Sequence, residues 1–268
     1  MRLVKDPTKG ITIGVAEHRS KRPTLAKKDF CPFCPNAEHL TPPTTLQVPA
    51  KKWLVRCFEN AFPIITKKDG GRHEVIVESN KHDEAFEDMM HNEELFSAYQ
   101  NRFNQMKGKC VFLFKNSGVG SGASIYHEHS QIISLPFEPE IIKKEKSLKK
   151  CVFCSLLKQK PLYENDYFKA VLPEYGRFPF ETWVIAKSHG AKFGKLSIKE
   201  GVDYIRALQE SVRLIKKKSP AYNIALHTTT HLHAEIYTRK STFAAVEYGT
   251  GFIVNTHAGE DARRELLL

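Results

Sequence analysis

The stretch NSGVGSGASIYHEHSQ, Asn116 to Gln131, decides how the rest of the chain is read. Upstream, KGKCVFLFK (Lys107 to Lys115) is β-branched and aromatic enough for a buried strand, and downstream QIISLP continues as a second strand. Strand residues spaced by two share a face, so His127, His129 and Gln131 line one surface while Glu128 and Ser130 point away. Glycine backbone approaches an anion closely, offering N–H donors with no side chain in the way. A glycine turn followed by alternating histidines therefore predicts a phosphate held beside an imidazole.

Working outward towards the N-terminus, Phe86, Met89, Met90, Leu95, Phe96, Tyr99, Phe103 and Met106 recur at three- and four-residue spacing and predict one helix with a core face. His82-Asp83 precedes it. HEVIVES (His73 to Ser79) reads as a strand, and Trp53 to Ile65 as strands broken at Asn60. The first strand, Ile11 to Val15, leads into a basic turn with Arg19 and Arg22. Two arginines three apart form either a phosphate grip or a solvated surface turn, and spacing alone does not separate the two. Towards the C-terminus, EPEIIKKEKSLKK (Glu138 to Lys150) predicts a polar helix with a solvated lysine face. Strands follow over Tyr163 to Leu172 and in ETWVIAKSHG, then an amphipathic helix with Ile198, Val202, Ile205, Leu208, Val212 and Ile215 on one stripe. YNIALHTTTHLHAEIY supplies two more strands, VEYGTGFIVN reads as a strand with a glycine kink, and the last dozen residues as a polar helix.

The two halves repeat. Cys31-Cys34, His82 and His127-x-His129-x-Gln131-Ile132 match Cys151-Cys154, His189 and His231-x-His233-x-Glu235-Ile236. Cys34 to His82 spans 48 residues and Cys154 to His189 spans 35, while His82 to His127 and His189 to His231 span 45 and 42. The chain is thus an α+β protein of two tandem repeats with antiparallel sheets, divided into residues 1–137 and 138–268. Each repeat offers two thiolates and two imidazoles, the tetrahedral set that zinc prefers: Cys31, Cys34, His82 and His127, then Cys151, Cys154, His189 and His231. With every position filled by protein, such a site is structural. In the second set His227 or His233 could stand in for His231, and iron could replace zinc. Neither C-x-x-C knuckle needs a regular element between its sulfurs, and Cys57 and Cys110 read as core.

Composition sets the outer bounds. The 268 residues, 41% apolar and 26% charged, describe an ordinary soluble chain long enough for one or two cores. No apolar run approaches the roughly 20 residues that span a bilayer, and the start lacks a signal-peptide core, which predicts a cytoplasmic protein. A formal charge of +11 favours polyanions in general. It does not single out nucleic acid, because the aromatics sit inside apolar strands and do not alternate with Lys and Arg on an exposed stripe.

Only the first repeat carries NSGVGSGAS ahead of its H-x-H; the second has LHTTT. Chemistry is therefore expected in the first half. With His127 given to the metal, His129 is free to attack phosphorus as a neutral imidazole, its other nitrogen held by a backbone carbonyl. The glycine-loop amides, including Gly118 and Gly122, together with Ser124 and Gln131, would hold the oxygens as charge builds.

These residues resemble the galactose-1-phosphate uridylyltransferase family of the histidine-triad superfamily over nearly the whole length. The resemblance rests on HRSKRP (His18 to Pro23), CPFC, ENAF (Glu59 to Phe62), HEVIVES with His82-Asp83, N-x-G-x-x-x-G-A-S from Asn116, HEHSQ, and HLHAEIY from His231. It implies two histidine-triad-type repeats whose sheets join into a half-barrel, in a homodimer. It also implies double displacement: His129 attacks the α-phosphorus of a nucleotide sugar, releases sugar 1-phosphate and carries the nucleotidyl group to an incoming phosphate. By the same resemblance Gln131 hydrogen-bonds the α-phosphate and favours transfer over hydrolysis. Asn116, Gly122 and Ser124 contact phosphates, Arg19 and Arg22 the nucleotide's phosphate side, and Asn60 the ribose or base.

Two departures bear on the substrate. Uridylyltransferases of the family read H-P-H where this chain has His127-Glu128-His129, and their hexose-recognition pattern is replaced by Glu247-Tyr248-Gly249-Thr250-Gly251. The combination of GAS, H-x-HSQ and G-T-G resembles the ADP-glucose phosphorylase branch, whose acceptor is inorganic phosphate. Three readings follow: uridylyl transfer from UDP-glucose to a hexose 1-phosphate, phosphorolysis of an ADP-hexose, and, from another class, a zinc-stabilised nucleic-acid-binding module.

Overall fold

A computed structural model describes residues 2–16 and 31–268. Arg19 and Arg22 lie outside the described residues. The chain forms two compact units: the first runs to Lys115 and resumes over Ser124–Lys149, and the second comprises Asn116–Ala123 and Lys150–Leu268. Contacts thus group the glycine turn with the second unit and the helix after residue 137 with the first, where a cut at residue 137 followed chain order alone.

In the first unit, β1 (Arg2–Lys5) and β2 (Thr12–Val15) pair as a small hairpin. The main sheet contains β3 (Thr44–Val48), β4 (Val55–Glu59), β5 (Arg72–Val77), β6 (Cys110–Ser117) and β7 (His129–Leu135) in the order β3-β4-β5-β7-β6, every pair antiparallel. β7, the strand bearing His129 and Gln131, is bonded on both edges, so its side-chain directions are held by two ladders. Residues alternate across the sheet as expected of strands. His73, Val75 and Val77 of β5 share a face with His129 and Gln131 of β7, while Glu74 and Ile76 share the other with Ser130 and Ile132.

That other face receives helix α1 (Asn92–Gln105). Leu95, Phe96, Ala98 and Tyr99 bury against the sheet, and Arg102 clamps Glu74 by two bonds, Nε to Oε2 at 2.7 Å and Nη2 to Oε1 at 2.8 Å. The helix is shorter than the apolar spacing predicts. Phe86 lies in a separate 3-10 turn and Met90 is 90% exposed. The start is set by the polar run Asn92-Glu93-Glu94, whose carboxylates suit the positive end of a helix dipole. Similarly, no second strand forms between Asn60 and Ile65: Phe62 N–H donates to Asn60 Oδ1, making an Asx turn that diverts the chain before Pro63. Helix α2 (Glu140–Lys146) closes the unit.

The second unit repeats the plan. Short helix α3 (Val152–Leu156) precedes β8 (Tyr163–Glu164), β9 (Phe168–Val171) and β10 (Thr182–Ala186), followed by the long helix α4 (Ile198–Lys216) and the hairpin β11 (Tyr222–Thr228) and β12 (Leu232–Thr238). The strands run β11-β12-β10-β9-β8, again antiparallel. Ser197 caps α4 and Glu200 returns the bond, so the sequence Ser-x-x-Glu marks its start. Two expectations fail here. CVFC is not an irregular knuckle, because Cys151 caps α3 and accepts from Cys154 N–H at 3.5 Å. VEYGTGFIVN is not a strand: α5 (Ala245–Thr250) occupies its first half, with Glu247 bonding the Ala244 N–H and Gly251 ending the helix at φ +74°. Helix α6 (Gly259–Leu267) ends the chain.

Each unit anchors its knuckle by an aromatic residue. Phe33 packs with Trp53, Phe58, Val75 and Val77, and Phe153 packs with Leu156, Val171, Trp183 and Ile185. The duplication seen in the sequence is therefore a duplication of packing.

Candidate active site and metal clusters

Both C-x-x-C sets converge as the sequence predicts. Ligand atoms of Cys31, Cys34, His82 and His127 lie within 4.8 Å of one another, and so do those of Cys151, Cys154, His189 and His231. His127 Nε2–H donates to Ser79 O at 2.7 Å, which leaves the Nδ1 lone pair facing Cys31 and Cys34 Sγ, each at 3.6 Å. His82 Nδ1 lies 3.4 Å from Cys34 Sγ. In the second set His231 Nε2–H donates to Ala186 O at 2.7 Å, and its Nδ1 sits 3.3 and 3.7 Å from Cys151 and Cys154 Sγ. His189 Nδ1 is 3.3 Å from Cys154 Sγ. A tetrahedral ion bonded at about 2.3 Å to sulfur and about 2.1 Å to nitrogen sets sulfur–nitrogen edges of about 3.6 Å. The donors thus fit one cation each. Charge argues the same way: burial and the adjoining Cys31 sulfur push the Cys34 thiol up to about 11, a penalty that a bound cation removes.

His231, rather than His227 or His233, completes the second set. His233 lies beneath the knuckle aromatic, its ring 4.0 Å from that of Phe153 and fully buried, with Nε2 3.7 Å from Glu235 Oε1. The matching residue of the first unit is placed differently. His129 meets Phe33 edge-on at 5.2 Å and opens onto a cavity of about 180 Å³ lined by Phe33, Leu40, Phe58, Asn60, Val75, Ser124, Ile125 and Gln131 among others. His129 Nδ1–H donates to His127 O at 2.8 Å. Burial pushes the His129 imidazolium down to about 4, so at neutral pH the ring is uncharged with its lone pair on Nε2. The cavity is therefore lined by a neutral imidazole, two amides, a hydroxyl and apolar side chains.

The structure brings His129, Gln131, Asn60 and Ser124 together around that cavity. Asn116, Gly118 and Gly122 group with the second unit: Asn223 Nδ2 donates to Asn116 Oδ1 at 2.6 Å and to Ser121 O at 2.8 Å. Gly118 has φ +84°, and a Cβ there would meet Ala221 Cα at 2.8 Å, so only glycine fits.

Sequence reasoning missed the residues behind the strand. Lys115 is buried and bonds both Glu78 and Glu128, while Tyr99 and Ser130 hydroxyls donate to the other Glu78 oxygen. Burial opposes the Lys115 charge, yet Glu128 and Glu78 outweigh it and hold its pKa above the ordinary lysine value. Glu78 N–H also donates to Glu128 O at 3.1 Å, so the peptide between His127 and His129 is gripped at side chain and backbone. Glu128 is thus part of the scaffold. Lys115→Met leaves two carboxylates without their cation and is expected to cost about 3–5 kcal/mol, read as a lowered urea midpoint. The available signal was a lysine at the end of an otherwise apolar strand.

The chain is similar to several known proteins. Residues 14–137 match the family model described as the N-terminal domain of a domain of unknown function, DUF4931. The chain is 28% identical to ADP-glucose phosphorylase of Arabidopsis thaliana, covering 98% of this chain and 91% of that protein. It is 25% identical to galactose-1-phosphate uridylyltransferase of Thermotoga maritima, covering 99% and 98%. The crystal structure of an Arabidopsis thaliana ADP-glucose phosphorylase with bound ADP-glucose superposes with a TM-score of 0.82 at 28% identity, covering 99% of this chain and 97% of that one.

Proposed function

We propose, from the premise that this chain belongs to the galactose-1-phosphate uridylyltransferase family alongside the ADP-glucose phosphorylases, that it transfers a nucleotidyl group from a nucleotide sugar by double displacement through His129. The observation that carries this reading is the uncharged His129 with Nε2 towards an apolar cavity that also presents Gln131, Asn60 and Ser124. The base lies between Phe33, Leu40, Phe58 and Val75, and Asn60 meets the ribose or base. Nε2 forms a bond to the α-phosphorus as the bond to the sugar 1-phosphate oxygen breaks. His127 O steadies the positive charge then shared by the ring, and Gln131 and Ser124 donate to the phosphate oxygens. An incoming phosphate breaks the P–N bond and restores the imidazole. Asn116, Gly118, Gly122, Arg19 and Arg22 are assigned to phosphate binding in the same reading.

Two donors are supported. A uridylyl donor with a hexose 1-phosphate acceptor follows from the uridylyltransferase relatives. An adenylyl donor with inorganic phosphate follows from the 28% identity to ADP-glucose phosphorylase and the Glu247–Gly251 stretch. Both clusters are read as structural zinc, which when bound staples each knuckle to its sheet and has no open position for substrate; elemental analysis separates zinc from iron at the second. A cytoplasmic homodimer completes the proposal. No helix among the described residues is long and apolar enough to cross a membrane.

The test is incubation with UDP-glucose or ADP-glucose without acceptor, followed by intact mass after acid-free quenching. A gain of one uridylyl or adenylyl group is expected and names the base. No gain with either donor overturns the reading.

A further inference from the structure

The orientation of Gln131 is set by a relay of hydrogen bonds that ends in two backbone amides. Phe62 N–H donates to Asn60 Oδ1 at 2.8 Å, which fixes the Asn60 amide and turns Nδ2 towards Gln131 Oε1 at 3.3 Å. Ile64 N–H donates to His73 Nδ1 at 2.8 Å. A ring nitrogen that accepts carries no proton, so in neutral His73 the proton sits on Nε2, 3.0 Å from Gln131 Oε1. Both lone pairs of Oε1 are then occupied, and the Gln131 NH2 group is the end presented to the cavity. His73 and Gln131 are both buried, so neither bond is shared with bulk water.

We propose that His73 is a positioning residue that locks Gln131 as a pure donor and thereby keeps the covalent intermediate from water. This rests on the nucleotidyl-transfer reading. An NH2 group can bond the oxygens of the bound phosphate but cannot accept a proton from a water molecule approaching the phosphorus. A reversed amide would present Oε1, which accepts from water and orients it for attack, breaking the P–N bond and releasing nucleoside monophosphate. Nothing else in the relay needs to change for this failure, because Asn60 alone occupies only one of the two lone pairs. Sequence reasoning had placed His73 at the start of a strand and given it no role.

The test has two parts. In the unaltered protein, a long-range proton–nitrogen spectrum of 15N-histidine-labelled material is expected to show His73 as the Nε2–H tautomer; the Nδ1–H tautomer overturns the proposal, and this measurement needs neither activity nor a variant. The adduct is then isolated and divided between phosphate or hexose 1-phosphate and water. His73→Leu is expected to raise the hydrolysed share about tenfold, the size of one lost hydrogen bond, with KM for the nucleotide sugar within about twofold, since the base slot is unaltered. His73→Gln, whose amide can donate to the same oxygen, is expected to restore the wild-type division. A folded His73→Leu protein with unchanged division overturns the proposal. Absence of any adduct in the wild type would instead overturn the nucleotidyl-transfer reading, leaving the tautomer result to judge the relay.

Discussion

His129→Ala is expected to leave a folded protein with both metals in place and no covalent nucleotide, with turnover reduced about 10⁴-fold or more. Among the described residues His129 is the one imidazole lining the cavity, and its Nε2 carries the lone pair because Nδ1–H is committed to His127 O. Removing the ring deletes the nucleophile of the proposed reaction but touches neither the Nδ1 of His127, which faces Cys31 and Cys34, nor the Nε2 bond from His127 to Ser79. The cavity left is small, and it adjoins space that already exists. Intact mass with each nucleotide sugar, elemental analysis and thermal unfolding measured on one preparation separate these effects. The matching change in the second unit, His233→Ala, is expected to leave adduct yield unchanged, since Phe153 lies 4.0 Å over that ring. If His129→Ala unfolds or loses metal, the division between nucleophile and scaffold is wrong.

Much of this site was legible because its chemistry is spaced regularly along the chain. His129-x-Gln131 on β7 puts two side chains on one face, with His127 just ahead of the strand, and the repeated Cys-x-x-Cys, His and H-x-H intervals name eight converging donors. What escaped was whatever depends on neighbours brought together by the sheet. His73 meets Gln131 because β5 and β7 are adjacent, and Lys115, on β6, meets Glu128 just ahead of β7 and Glu78 just past the end of β5; no local period encodes either pairing. The helix errors have a different cause. Met89 and Met90 fit a three-and-four spacing by chance, while the acidic turn at Glu93-Glu94 controls where α1 begins. In α5, of the glycines read as a strand kink, Gly249 lies inside a short helix capped by Glu247 and Gly251 is its C-terminal stop.

Cys31→Ser is expected to lose one metal and about 5 kcal/mol, or roughly 10–20 °C in Tm for a chain of this size. Serine oxygen is a poor substitute for thiolate towards a cation of zinc's softness, so affinity falls before geometry does. The loss reaches the chemistry by a short path. Cys31 and Phe33 pack into the cluster with Trp53, Phe58, Val75 and Val77. Without the ion, the knuckle no longer holds Phe33 against His129, and His127, freed at Nδ1, no longer fixes the carbonyl on which the His129 tautomer depends. Metal, stability and adduct formation should therefore fall together in Cys31→Ser. In Cys151→Ser the second metal should fall with stability, while the surviving folded fraction still forms adduct, because Phe33, His127, His129 and Gln131 all belong to the first unit. Elemental analysis, Tm and intact mass read the three quantities. A Cys31→Ser protein that keeps full adduct yield after losing its metal would show that the first cluster does not hold the nucleophile, and the link drawn between staple and chemistry would fail.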